Sequence, residues 1–159
     1  MGTDFFNIAG IYKINTDLFR KTIKGIPSDR LLARPGDDSN HLLWVAGHVV
    51  VHRAAVLKIL GQQWSAPWEQ LFVRGAKLAA AEEYPGIDEL TNAWEDVSMR
   101  LESALTSASP ESLAEPAAKG ITLDGKTSGK IAFLALHETY HVGQMGYLRK
   151  WLGFGGAIG

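Results

Sequence analysis

Apolar residues recur every three or four positions in four stretches of this chain, which is the spacing of one helix face. The stretches cover residues 4–24, 40–60, 88–108 and 128–152. The third gives the clearest stripe, made of Leu90, Ala93, Trp94, Val97, Leu101 and Leu105. No stretch alternates apolar and polar residues over a useful length. The pattern therefore predicts an all-α protein, with the four helices arranged as a four-helix bundle.

The second stretch is rich in valine, which by composition alone would favour a strand. Its length without a turn signal favours a helix instead, because strands are usually much shorter. We predict a cap at Ser39 or Asn40 and an end just before Gly61. The boundary signals of the other helices are Thr3, Thr127 or Ser128, and Pro110, which we expect to close the third helix.

Two long connections separate the helices, so an order other than simple up-down-up-down is allowed. Residues 61–87 contain Trp64, Trp68, Leu71 and Phe72. We expect these side chains to pack this connection against the helices, with room for a short helix, rather than leave it as a free linker. Gly47, next to a histidine, would let a neighbouring backbone approach closely.

Composition narrows the functional classes. The chain has 159 residues, 46% of them apolar and 21% charged, which suits one domain over residues 1–159. The net charge of −1 argues against a nucleic acid partner held by bulk charge. The absence of cysteine excludes disulfides, thiolate zinc clusters and a cysteine nucleophile. No uninterrupted apolar run reaches about 18 residues and no leader pattern is present, so we expect a cytoplasmic protein without a membrane partner.

The five histidines lie in two predicted helices. His41, His48 and His52 belong to the second, and His137 and His141 to the last. Residues four apart share a helix face, and apolar residues continue both histidine faces, so we expect the imidazoles to point into the bundle. Unpaired buried imidazoles cost free energy, whereas a divalent metal would use them as ligands. Three histidine ligands leave coordination positions open, as in catalytic sites.

The ligand set stays open at this level. A single interior histidine is more often a hydrogen-bonded core residue than a ligand, but an i, i+4 pair facing a third histidine favours metal. His48 and His52 both lie on the right face, so spacing does not decide between them. His41 lies near the helix start and is expected to cap it or to support a ligand. Gln144 is expected to contact a ligand, because a buried amide needs partners.

Residues 137–141 read His-Glu-Thr-Tyr-His, the pattern of zinc peptidases in which the glutamate is the general base. That chemistry needs a third ligand downstream, and no His, Asp or Glu follows His141. The positions of the extended motif carry Gln144 and Tyr147 instead. We therefore expect metal binding without peptidase chemistry. Glu138, about 100° around the helix from His137, is expected to support the site or lie on the surface.

Three stretches resemble the DinB/YfiT-like superfamily of metal-dependent bacterial proteins. They are residues 26–36, residues 40–48 (Asn-His-Leu-Leu-Trp-Val-Ala-Gly-His) and residues 137–149, where His-x-x-x-His is followed by Gly-Gln. The resemblance implies a bundle in up-down-down-up order and a homodimer. It places the three metal ligands on His48, His137 and His141. Some related proteins are S-transferases or isomerases that use bacillithiol, mycothiol or glutathione.

The leading hypothesis is a zinc- or nickel-dependent enzyme of thiol S-transferase type. The thiol would be a low-molecular-weight molecule, because the chain has no cysteine. No catalytic residue is singled out. The residues expected around the metal or the substrate are Gln144, Tyr140, Trp44 and His52, although for Trp44 and Tyr140 core packing is the favoured interpretation.

The rival hypothesis is a non-catalytic, stress-related bundle in which the metal is structural and pins two helices together. A fourth protein ligand, His52 or His41, would favour it, because a closed site has no position for substrate. A vestigial site without metal is the third alternative.

Overall fold

A computed structural model describes residues 3–157, without the side chains of Thr3, Asp4 and Phe6. Its α-helices are α1 (Thr3–Ile23), α2 (Leu42–Ile59), α3 (Ile87–Ser107), α4 (Pro110–Ala114) and α5 (Thr127–Trp151). Residues 3–157 contain no strand, only an isolated bridge between Pro116 and Lys126. The all-α prediction is confirmed, and the four predicted stretches correspond to the four long helices. The predicted cap at Thr3 lies outside the described side chains.

α2 is capped by His41 rather than by Ser39 or Asn40. The His41 Nδ1 accepts a hydrogen bond from the backbone N–H of Trp44 at 3.0 Å. A neutral imidazole nitrogen does here what an Asn or Ser oxygen does at most helix starts. At the other end the prediction holds: Gly61 follows the helix with φ 79°, and its left-handed conformation lets two backbone N–H groups close the last turn.

One other boundary prediction is wrong: Lys126 holds the cap position of α5, without a side-chain bond, where Thr127 or Ser128 was expected. Pro110 lies two residues past Ala108, the C-cap of α3, as expected for a proline that closes a helix. It is also the first residue of α4, where its missing N–H costs nothing. Ser109 caps α4 by accepting from a backbone N–H through its side chain.

The long helices pack in four pairs: α1 on α5, α5 on α2, α2 on α3, and α3 on α1. α1 and α5 run in the same direction. The Tyr12 hydroxyl donates to the Ile131 carbonyl at 3.0 Å, and more than two turns later the Arg149 guanidinium donates to the Lys24 carbonyl at 2.6 Å. Because these two helices are parallel, the intervening chain must return along the length of the molecule.

α2 and α3 are also parallel. α2 runs opposite to α5, since the ring centroids of His48 and His141 lie 4.6 Å apart and those of His52 and His137 lie 4.3 Å apart. α3 runs opposite to α1, because Gly10 and Leu105 line one cleft whereas Lys24 and Ile87 line another. α2 has 18 residues and therefore spans about 27 Å at 1.5 Å per residue. The connection between them has to cover that distance backwards, which accounts for its unusual length.

The same connection packs tightly, as expected. It contains two short 3-10 helices, Glu69–Phe72 and Ala81–Glu83, and both Trp68 and Phe72 are buried. The Phe72 ring occupies the space beside Gly47, where an added Cβ would come within 2.4 Å of it. Gly47 thus permits the close approach of a side chain, whereas we expected the approach of a neighbouring backbone.

By length and composition α2 could cross a membrane, although the chain has no uninterrupted apolar run of about 18 residues. However, 78% of that span is buried inside the protein. A core helix passes the same test, because its apolar residues face neighbouring helices instead of lipid.

We predict that Gly47→Ala lowers the free energy of unfolding by about 1–3 kcal/mol, because the new methyl group must displace Phe72. Urea unfolding followed by circular dichroism measures the change. The matched control is Gly10→Ala in α1, where nothing lies within 4 Å of the added Cβ. That substitution should raise stability by about 0.5–1 kcal/mol through helix propensity. Equal effects of the two substitutions would contradict the prediction.

Candidate metal centre

Four histidine rings meet between α2 and α5. The ring centroids are 4.2 Å apart for His48 and His52, 4.3 Å for His52 and His137, 4.4 Å for His137 and His141, and 4.6 Å for His141 and His48. Each helix contributes residues four apart, which share one face. The opposite directions of α2 and α5 set His48 against His141 and His52 against His137.

Hydrogen bonds fix the orientation of two of these rings. The His48 Nδ1 lies 2.7 Å from the Phe72 carbonyl oxygen, and the His141 Nδ1 lies 2.7 Å from the Gln144 Oε1. Both oxygens can only accept, so both Nδ1 atoms carry the proton and both Nε2 atoms keep a lone pair. This is the arrangement found at metal-ligating histidines, where the second nitrogen donates to a carbonyl or carboxylate.

The remaining nitrogens also fit a metal. His137 Nε2 and His141 Nε2 are 3.1 Å apart, and two nitrogens about 2.0–2.1 Å from one zinc ion lie roughly 3 Å apart. The Nδ1 atoms of His52 and His137 are buried and have no hydrogen-bond partner among the described residues. His48, His52 and His137 each offer a nitrogen within 4.8 Å of the others. This compact group contains His52 in place of His141, the third ligand that the family resemblance implies. The donor set therefore suits a divalent transition metal.

Burial keeps all four imidazoles neutral at pH 7. Desolvation lowers the pKa of each ring, and neighbouring histidines lower the pKa of His48, His52 and His137 further. The pKa of His52 falls to about 3 and that of His137 to about 4. The positive charge of Arg74 also lowers the pKa of His137. A neutral imidazole is the form that binds metal, so little free energy is needed to deprotonate the site.

The other residues singled out by sequence occupy different places. Trp44 is buried, stacks on His48 at 4.9 Å between ring centroids and donates its indole N–H to the Leu71 carbonyl at 3.0 Å. Tyr140 is 63% exposed, and its ring lies edge-on to His141 at 5.1 Å. Its hydroxyl accepts from the Gln144 Nε2 at 3.3 Å.

His41 is not part of the cluster. It caps α2, and its ring lies edge-on to Tyr84 at 5.0 Å. Desolvation, together with the positive charge of Arg34, lowers its pKa to about 4. Its role is therefore to begin the helix that carries His48 and His52.

Three of the clustered histidines, His52, His137 and His141, lie beside the core, whereas His48 is buried and only 3% exposed. The buried face of α5 consists of Gly129, Ile131, Ala135, Glu138, Val142, Met145 and Leu148. His137 and His141 are half-buried, on the neighbouring face toward solvent. Glu138 is only 2% exposed and pairs with Arg53, so a surface role for it was wrong. Arg53, a charge in the middle of a mostly buried apolar helix, is the signal that could have predicted this partner.

A cleft of about 500 Å³ lies between α1 and α3, and none of the histidines lines it. Thr16 and Ser98, two polar residues in its wall, already accept hydrogen bonds from Arg53. The groups suited to chemistry are therefore concentrated at the histidine cluster rather than in this cleft.

The sequence model of the DinB superfamily matches residues 11–145, a span that contains all four clustered histidines. The chain belongs to the DinB superfamily. Comparison with curated proteins and with solved structures gives no match. Family membership, expected from the resemblance of three stretches, is confirmed, and the cluster is a possible metal site of a DinB protein.

We predict that the metal-free protein loses stability as the pH falls below about 6.5, the ordinary histidine pKa. The unfolded chain binds protons there, while the folded chain resists them until its lowered pKa values are reached. Urea unfolding in the presence of a chelator, at pH 7 and near pH 5, measures the difference. His52→Asn should show a smaller loss, since it removes the strongest shift. Equal unfolding free energies at both pH values would contradict the assignment of neutral buried imidazoles.

Proposed function

We propose that the chain forms a DinB-type four-helix bundle of α1, α2, α3 and α5 in up-down-down-up order, as one domain over residues 1–159. Supporting this are the parallel pairs α1–α5 and α2–α3 and the antiparallel packing of α2 on α5. A cytoplasmic location, expected from the sequence pattern, and a homodimer, taken from the family resemblance, are further parts of the proposal.

The bundle is proposed to hold one divalent transition metal, zinc or nickel, on His48, His137 and His141. The observation that carries this is the pair of hydrogen bonds at Nδ1, which leave the Nε2 lone pairs of His48 and His141 free for a metal. The His137 Nε2 lies 3.1 Å from that of His141. The centroid of the His52 ring lies 4.2 Å from that of His48 and 4.3 Å from that of His137.

The proposed activity is transfer of a low-molecular-weight thiol to a small electrophile. When bound, the metal would supply a positive charge that stabilises the substrate thiolate near neutral pH. The buried residues Trp44 and Phe72 shield the inner side of the site from water. Gln144 holds the ring of His141, while the exposed Tyr140 can contact an arriving substrate.

The half-buried position of His137 and His141 favours this activity over a purely structural metal. A substrate can reach the outer side of the site, where Tyr140 is exposed. The structural alternative is supported by His52, which lies close enough to His48 and His137 to act as a fourth ligand. A fourth protein ligand would leave no coordination position for a thiol.

We expect about one zinc or nickel ion per chain in the purified wild type, measured by plasma mass spectrometry. His48→Ala and His137→Ala should lose it, because each removes a proposed ligand. His52→Ala is the control and should retain it. Loss in His52→Ala with retention in His141→Ala would move the ligand set to the other three histidines. No uptake by the wild type, even with excess zinc and nickel, would contradict the metal proposal.

The metal-loaded wild type should consume an alkylating electrophile in the presence of glutathione, bacillithiol or mycothiol, whereas His48→Ala should not. The loss of the free thiol and the formation of the thioether are followed by mass spectrometry. A wild type that binds metal and gains thermal stability but turns over none of these thiols would favour the structural alternative.

Gln144→Leu should weaken metal binding by about tenfold, because His141 loses the acceptor that fixes its tautomer. Competition with a coloured chelator measures the affinity. Tyr140→Phe is the control: it keeps the ring beside His141 and removes only the hydroxyl, so affinity should be unchanged. Unaltered affinity in Gln144→Leu would mean that the contact does not support a ligand.

A further inference from the structure

An ion pair joins α2 to α5 one residue beyond the histidines. Arg53 follows His52 and Glu138 follows His137. The two side chains are 1% and 2% exposed and make two hydrogen bonds, Nε to Oε2 at 2.9 Å and Nη2 to Oε1 at 2.5 Å. On each helix, therefore, adjacent residues serve the core and the histidine cluster.

Every donor of Arg53 is committed to a partner. Besides Glu138, the guanidinium donates to the hydroxyls of Thr16 and Ser98, each at 2.6 Å, and to the Tyr12 carbonyl at 3.0 Å. Its carbon lies 3.7 Å from the centre of the Trp94 ring. These contacts bring α1 and α3 to the pair, so neither charged group can shift without breaking several bonds at once.

The carboxylate is held equally firmly. The Glu138 Oε1 also accepts from the Asn15 Nδ2 of α1 at 3.1 Å. Sliding α5 by one residue would move it about 1.5 Å and turn it about 100°. Such a change would carry Glu138 away from Arg53 and turn His137 and His141 away from α2. The ion pair and the histidine cluster therefore require the same register.

We propose that Arg53 and Glu138 are positioning residues that fix the register and rotation of α5 against α2, and thereby the spacing of the four imidazoles. The inference rests on the proposed metal site. Replacing a buried ion pair by apolar residues of similar volume is often neutral or stabilising for the fold. An apolar pair makes no directional interaction. Dispersion contacts tolerate small shifts of the helices, whereas an ion pair with two hydrogen bonds does not. Metal affinity should therefore fall without a matching loss of fold.

The test compares the double variant R53M/E138M with the wild type. Urea unfolding of the metal-free proteins reports the fold, and chelator competition reports affinity for zinc. Cobalt substitution gives a visible spectrum that depends on ligand geometry. We expect cooperative unfolding to be retained, zinc affinity to fall at least tenfold, and the cobalt spectrum to change.

The control is R20M/E95M, which removes an exposed ion pair between α1 and α3 that does not touch α2 or α5. Its zinc affinity and cobalt spectrum should match the wild type. If R53M/E138M does not fold, Glu138→Gln keeps the side-chain shape while removing the charge, and the same affinity loss and spectral change are expected.

Wild-type affinity and spectrum in a folded R53M/E138M or Glu138→Gln protein would overturn the positioning role. A wild type that takes up no metal is a different result, since it would overturn the proposed function and this inference with it.

Discussion

A carboxylate and a guanidinium buried at the centre of the helices hold α2 against α5. Taking Glu138 and Arg53 out of water is costly, and the cost is offset only because the donors of the guanidinium and both carboxylate oxygens have partners. Those partners come from all four long helices. Glu138 lies on the inner face of α5, whereas His137 and His141 lie on its outer face. The two faces of the helix are therefore separate.

That separation explains why the histidines suit chemistry. Desolvation lowers the pKa of each of the four histidines, yet His52, His137 and His141 are only half-buried. Two of the rings are held by hydrogen bonds: His48 by the Phe72 carbonyl, and His141 by Gln144. The long connection between α2 and α3 is thus part of the site, since it delivers Phe72.

The sequence predicted the four long helices because their apolar periodicity is local. It also brought His137 and His141 onto one face, because i, i+4 spacing fixes that. It did not predict the burial of Glu138, which depends on Arg53, 85 positions away in the chain. The contact between the Phe72 carbonyl and His48 could not be predicted either, because a backbone group in a connection has no pattern in the sequence.

The central claim is that these imidazoles form a metal centre. A crystal structure of the protein with zinc or nickel, with anomalous scattering collected at the metal edge, tests it most directly. The account predicts one anomalous peak bonded to the Nε2 atoms of His48, His137 and His141, with the Nδ1 contacts to Phe72 and Gln144 retained. An empty cluster at saturating metal, or a peak held by surface groups elsewhere, would contradict it.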